Sequence, residues 1–296
     1  MKILVTGSNG LLGQKLINLL QTDKEVYTIA TARKHLIPKL SRGEFHPLDI
    51  EDAEQVNRVL SVTKPDVVIN TAAMTQVDDC ELNQEACWKA NVTSVKNLIA
   101  ACSKNDIRLI HLSTDFIFDG THGPLDEEAK PNPISYYGSS KLAAEELIQK
   151  SSLSWCILRT VLVYGITEDM SRSNIVLWVK KNLEEKKSIR VVNDQWRTPT
   201  LAEDLAMGCY LAATKNATGI FNISGKDFLT PYDIAIKAAE FFKLDKSLIE
   251  EVDSTIFTQP AKRPPKTGFI IDKAKNQLGY EPHSFDEGIA IMAAQL

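Results

Sequence analysis

Over the first half of the chain, short β-branched runs alternate with longer stretches whose apolar residues recur every three or four positions. Residues 3–6 (Ile-Leu-Val-Thr) are the first such run, and residues 11–20 follow with Leu12, Leu16, Leu19 and Leu20 on one helical face. Extended runs recur at 26–32, 45–48, 67–71 and 109–113, with helical stretches at 84–104 and 136–150. Apolar strands separated by amphipathic helices predict an α/β fold, a doubly wound parallel sheet covered on both faces. After strand-like runs at 156–158 and 161–164 the alternation is lost. The remainder mixes helices (174–185, 202–213, 231–242, 285–294) with short strands and proline loops such as Arg263-Pro264-Pro265. This predicts a smaller C-terminal α/β region capping the strand ends, where open α/β folds bind ligands.

Composition changes this picture little. A chain of 296 residues with 44% apolar side chains can bury one large core or two smaller ones. The formal charge of −4, with both signs interspersed, gives no case for a nucleic-acid or membrane partner. No apolar stretch approaches the roughly 20 residues that span a bilayer. The run Met1-Lys2-Ile3-Leu4-Val5 reads as a strand rather than a secretory signal, so a cytoplasmic protein is expected. Cys80, Cys87, Cys102, Cys156 and Cys209 are widely spaced and read as reduced thiols; no metal site is expected.

Chemistry enters at Thr6-Gly7-Ser8-Asn9-Gly10-Leu11-Leu12-Gly13, three glycines at three-residue spacing between a strand and a helix. Gly7 permits a tight turn, Gly10 lets backbone approach a pyrophosphate, and Gly13 lets the helix sit close to the sheet with its N-terminal amides facing the anion. Residues 1–165 are therefore read as a Rossmann-type NAD(P)-binding domain on which later segments pack back, and 166–296 as a substrate-binding region. The second strand ends Thr31-Ala32-Arg33-Lys34, with two cations and no acid to bond a ribose 2′-hydroxyl. NADP(H) is favoured, with NAD(H) left open. Asp49, followed by Ile50, is a candidate for the adenine amino group.

Tyr137-Gly138-Ser139-Ser140-Lys141 sets a phenol and an ammonium four apart, on one face at the head of a helix. A phenol near pKa 10 needs a nearby cation to serve as an acid at neutral pH, and Lys141 supplies one. Thr114, at the end of the fifth strand, could bond and polarise a substrate carbonyl. His111, inside that strand, reads as a packed core residue.

These motifs resemble the extended short-chain dehydrogenases, and more closely the dTDP-4-dehydrorhamnose reductase family. The similarity is carried by the segments 66–78 (Asp-Val-Val-Ile-Asn-Thr-Ala-Ala-Met-Thr-Gln-Val-Asp), 113–120, 159–165 and 193–200, and by Arg263-Pro264. The resemblance implies Thr114, Tyr137 and Lys141 as the catalytic set. It implies cofactor contacts from Gly7, Asn9, Gly10, Leu11, Leu12, Gly13, Arg33, Asp49, Ile50, Ala72, Ala73, Thr75, Asn91, Tyr137 and Lys141. Thr75, Val77, Thr114, Asp115 and Trp196 are the expected substrate contacts. The implied reaction reduces the 4-keto group of a nucleotide-activated deoxysugar, dTDP-4-dehydrorhamnose giving dTDP-rhamnose, and a homodimer is the family-level expectation. Val161-Leu162 replaces the usual Ser-Trp, and Trp196-Arg197 stands where small residues are usual, both on the substrate side. Phe116 takes the place of the glutamate that related dehydratases use to eliminate water. Another reductase or epimerase of the superfamily stays open, as does a non-catalytic NADP-binding subunit resembling the methionine adenosyltransferase regulatory subunit.

Overall fold

The computed structural model describes residues 1–168 and 174–296. β1 (Lys2–Thr6) leads through the glycine loop into α1 (Leu11–Leu20), followed by β2 (Tyr27–Ala32), β3 (Gly43–Pro47), α2 (Ala53–Thr63) and β4 (Val67–Asn70). Then come α3 (Val77–Leu82), α4 (Gln84–Trp88), a π-helical turn over Lys89–Thr93, α5 (Ser94–Asn105), β5 (Arg108–Thr114), α6 (Tyr136–Gln149) and β6 (Trp155–Thr160). The rest supplies β7 (Val163–Tyr164), α7 (Ile175–Glu184), β8 (Ile189–Val192), β9 (Thr200–Leu201), α8 (Ala202–Thr214), β10 (Gly219–Asn222), α9 (Pro231–Phe241), β11 (Ile249–Val252), α10 (Asp272–Leu278) and α11 (Phe285–Ala293).

Seven parallel strands form one sheet in the order β10-β6-β5-β4-β1-β2-β3. The chain starts in the middle, winds outward to β3, then restarts at β4 and winds the other way. The order reverses between β1 and β4, so the loops leaving these strands diverge and open a crevice at the carboxyl edge. Strand alternation feeds both faces. Ile3 and Val5 join an apolar layer with Leu16, Leu20, Leu205 and Ala212, while Leu4 joins the opposite layer with Val56, Leu60, Leu98 and Ile148. Each buried valine, leucine or isoleucine among them stabilises the fold by about 1.5–3 kcal/mol. β10 pairs with β6 and α8 packs along α1, so segments after residue 200 return to the main sheet. α7, α9, α11 and the β8–β11 pair enclose an apolar cluster of their own, with Val176, Val179, Ile234, Ala238 and Ile289.

Two expectations change. The helix expected over 84–104 is broken by the π-helical turn, and the wider turn carries Asn91, whose buried side chain bonds outside its own helix to Met74 and Ser140. The strand expected over 161–164 shortens to Val163–Tyr164, because Leu162 takes a left-handed φ of 37° that an extended run does not tolerate. The sequence reading names no element over α2, which Asp52 caps by accepting from the Glu54 and Gln55 amides.

Candidate active site

The crevice begins at the glycine loop. Gly7 has φ +66°, and a Cβ on Gly13 would sit 2.2 Å from the Gly7 carbonyl oxygen, so a side chain there would force α1 off the loop. Gly10 caps α1 without a side-chain hydrogen bond and the first turn carries no acid, so side chains neither bond nor neutralise the leading amides. Free amides at the positive end of a helix dipole suit a phosphate. Leu11 and Leu12 open α1, and Leu12 packs onto the core behind it.

Ser8 and Asn9 brace this loop against β2. The Ser8 amide donates to the Thr31 carbonyl, and its hydroxyl accepts from the Thr31 amide at 3.0 Å. The Asn9 carboxamide donates to the His35 carbonyl and accepts from the Ile37 amide. Arg33 and Lys34 lie exposed in the segment so held. Asp49, after β3, accepts from the Glu51 amide, and Ile50 is buried in the core with its carbonyl bonded by Asn97. Across the switch point the loop after β4 carries Ala72, Ala73 and Thr75. A Cβ on Gly7 would come within 3.1 Å of the Ala72 backbone, so the two loops are in close contact.

The catalytic candidates meet beside this crevice. Thr114 ends β5, accepts from the Phe116 amide, donates to Asp115, and lies close enough to Tyr137 to favour its phenolate. Ser135 caps α6, and a Cβ on Gly138 would fall 2.1 Å from the Phe116 carbonyl oxygen, so only glycine lets α6 seat Tyr137 against the end of β5. The Tyr137 ring packs edge-on to Phe116 at 5.7 Å. Burial pushes its phenol well above the ordinary value of 10, against the opposing effect of the neighbouring Thr114 hydroxyl. A phenol so placed keeps its proton at neutral pH. Lys141 is buried one turn later, donating to the Leu112 carbonyl at 2.6 Å and lying 3.2 Å from His111 Nε2. Burial pushes its ammonium down to about 8.

Two ion pairs fasten the C-terminal segment over this strand edge. Arg263 grips Asp78, on α3, through both terminal nitrogens at 2.6 and 2.7 Å, and holds its carboxyl below the usual range. Arg197 Nε lies 3.6 Å from Asp115 Oδ2, and its terminal nitrogens donate to the carbonyls of Trp196, Pro264 and Pro265. Asp115 also accepts from Thr267, so this expected substrate contact has a buried carboxylate that joins β5 to the loop around 264–267. Trp196 is half-exposed and leans on Phe228 at 5.3 Å. Val77 opens α3 and packs on the cluster of Cys80, Cys87 and Tyr137.

The family model described as the RmlD substrate binding domain matches residues 1–296. The chain belongs to this family. It is 32% identical to a "probable low-salt glycan biosynthesis reductase" of Haloferax volcanii, over 98% of this chain and 96% of that one. It is 29% identical to the methionine adenosyltransferase 2 subunit beta of Mus musculus, over 89% and 78%. A dTDP-4-dehydrorhamnose reductase structure from Clostridium acetobutylicum superposes with a TM-score of 0.87 at 29% identity, covering 100% of this chain and 99% of that one. The resemblance to the dTDP-4-dehydrorhamnose reductases therefore holds, and this RmlD-family chain is an NAD(P)-dependent oxidoreductase of the extended short-chain fold.

In this RmlD-family chain, Thr114, Tyr137 and the glycine loop come together at one edge of the sheet. Asn91 lies beneath them: it accepts from the Met74 amide and donates to the Met74 carbonyl and to Ser140, joining the loop after β4 to α6. Sequence reasoning missed Ser8, Arg197, Thr267 and Asp78 as structural partners. Only Ser8 had a local signal, its place inside the glycine loop. Among the described residues no group of three or more His, Cys, Asp or Glu side chains is arranged to hold a metal ion. All five cysteines are buried free thiols.

Proposed function

We propose that this chain reduces the 4-keto group of a nucleotide-activated deoxysugar, with dTDP-4-dehydrorhamnose as substrate and NADPH as the preferred reductant. The observation that carries the reading is the placement of buried Tyr137 against the end of β5 beside Thr114, with buried Lys141 one turn further along α6. The glycine loop and the uncapped start of α1 suit the pyrophosphate of a dinucleotide, which when bound supplies the hydride. The protein's part is to handle the carbonyl oxygen. Thr114 and Tyr137 donate to it, Tyr137 gives up its proton as the oxygen gains charge, and the Lys141 ammonium favours the phenolate left behind. Leu162 and Trp196, both half-exposed where the family has other residues, are the side chains proposed to set which sugar is accepted.

The test is nicotinamide absorbance with the purified protein, dTDP-4-dehydrorhamnose generated in place, and NADPH and NADH in parallel. Turnover supports the reading. Tight NADPH binding without turnover on this or related keto sugars would move it to a non-catalytic NADP-binding subunit. Arg33 and Lys34 lead the cofactor side of the proposal. Arg33→Asp removes a charge-assisted contact to a 2′-phosphate, so the ratio of kcat/KM for NADPH over NADH should fall about tenfold or more. An unchanged ratio would take Arg33 out of cofactor selection.

A pH dependence follows from Lys141. Its folded pKa of about 8 lies below the ordinary 10.5, so the ammonium is present at neutrality and disappears as pH rises through about 8. kcat/KM reports the free enzyme and should fall on that basic limb. A profile flat across that region would separate Lys141's charge from turnover.

A further inference from the structure

His111 is 1% exposed in the middle of β5, and it touches α6 through Lys141 on one side and β4 through Asn70 on the other. Its Nε2 lies 3.2 Å from Lys141 Nζ, and its Nδ1 lies 3.0 Å from the Asn70 carboxamide on β4. Asn70 in turn accepts from Thr6 Oγ1 at 2.6 Å, at the end of β1, and the Thr6 hydroxyl meets the Ala72 amide across the switch point at 3.4 Å. Thr6, Asn70, His111 and Lys141 thus form one buried polar chain beneath the crevice.

The donor count in this chain is restrictive. A lysine ammonium has three N–H groups and no lone pair, so beside a charged Lys141 the His111 Nε2 must be unprotonated. The ring proton then sits on Nδ1 and must find the Asn70 carboxamide oxygen, with the Asn70 amino group turned to Thr6. With Lys141 neutral, every bond reverses: Thr6 donates to Asn70 Oδ1, Asn70 Nδ2 donates to Nδ1, and Nε2–H donates to the amine. Oδ1 faces Thr6 and Nδ2 faces His111, and because the two ends of a carboxamide have nearly the same shape, either arrangement fits these heavy-atom positions. The two differ by a turn of one carboxamide and a move of the ring proton.

We propose that His111 is a positioning residue for Lys141. Its Nε2 and the Leu112 carbonyl hold two of the three ammonium N–H groups on β5, and its tautomer follows the charge of Lys141. The other charged and titratable groups around the amine are Glu145 on α6, itself paired with Arg159 on β6, Cys80 and Cys87 on α3 and α4, and Tyr137 one turn earlier on α6. Burial and the adjacent Lys141 push the imidazole well below its ordinary range, so it stays neutral while the amine titrates.

The direct test needs no substrate. Ring nitrogen NMR shifts of protein labelled with 15N-histidine, with His111 assigned from its loss in His111→Gln, should show the Nδ1–H tautomer below about pH 8 and the Nε2–H tautomer above it. One tautomer throughout, or an imidazolium, overturns the proposal. The functional arm rests on the reductase reading. His111→Phe removes an acceptor from a charged donor and should move the basic limb of kcat/KM down by about one to two pH units. His111→Gln, which restores an acceptor, should bring the limb back. A purely structural role would lower activity evenly without moving the limb, and that result overturns the proposal. A wild type inactive on every keto sugar would fail the reductase reading alone, leaving the nitrogen spectra to decide His111.

Discussion

Tyr137→Phe should lower turnover by roughly 10²–10⁴-fold, the usual contribution of a positioned general acid, while dinucleotide affinity stays close to that of the parent protein. The change removes one oxygen and keeps the ring. The phenyl group still packs edge-on against Phe116 at 5.7 Å, and Gly138 still seats α6 on the Phe116 carbonyl. Thr114 keeps its hydrogen bonds to the Phe116 amide and Asp115. The fold therefore has little reason to change, and the missing proton accounts for the loss. Steady-state kinetics with an independent measurement of NADPH binding distinguishes the cases. Retention of most of the turnover would place the acid elsewhere, and a parallel loss of binding would show that Tyr137 holds the dinucleotide more than it protonates the sugar.

The largest effect on stability is expected from Arg197→Met. Arg197 and Asp115 are 5% and 2% exposed, and removing one member of a buried pair strands the other charge, at a cost of about 3–5 kcal/mol. That is a large part of the 5–15 kcal/mol that holds a typical domain together. Thr267 and Thr114 would be the remaining hydrogen-bond partners of the stranded carboxylate. Urea unfolding should show the loss, and the sign of its pH dependence is fixed. Burial already raises the Asp115 carboxyl above its ordinary 3.8 against the attraction of Arg197, and removing the arginine raises it further. The folded variant then binds more protons than the unfolded chain above that pH, so its stability falls as pH rises. The deficit should be smallest in acid. Adding Asp115→Asn should recover part of the loss at neutral pH. Equal stability of variant and parent would mean that the carboxylate is not held charged by Arg197.

The parts of this protein legible in the sequence are those whose physics is local. A turn that approaches a pyrophosphate needs glycines between a strand and a helix, and Gly7, Gly10 and Gly13 stand in that order. Tyr137 and Lys141 share a face because they are four apart on a helix, and Thr114 follows directly on the strand-like run 109–113, so its place at the sheet edge follows from the run itself. The same periodicity carried the parallel sheet, which needs only apolar strands alternating with amphipathic helices. What periodicity could not carry is pairing between distant segments. Asp78 meets Arg263 across 185 residues, and Asp115 meets Thr267 across 152. His111 reads as an ordinary core residue until β4 and α6 bring Asn70 and Lys141 to its two nitrogens. A buried polar side chain takes its meaning from its partners, and in a doubly wound sheet the strand order, set by the packing of both faces at once, decides which partners it meets.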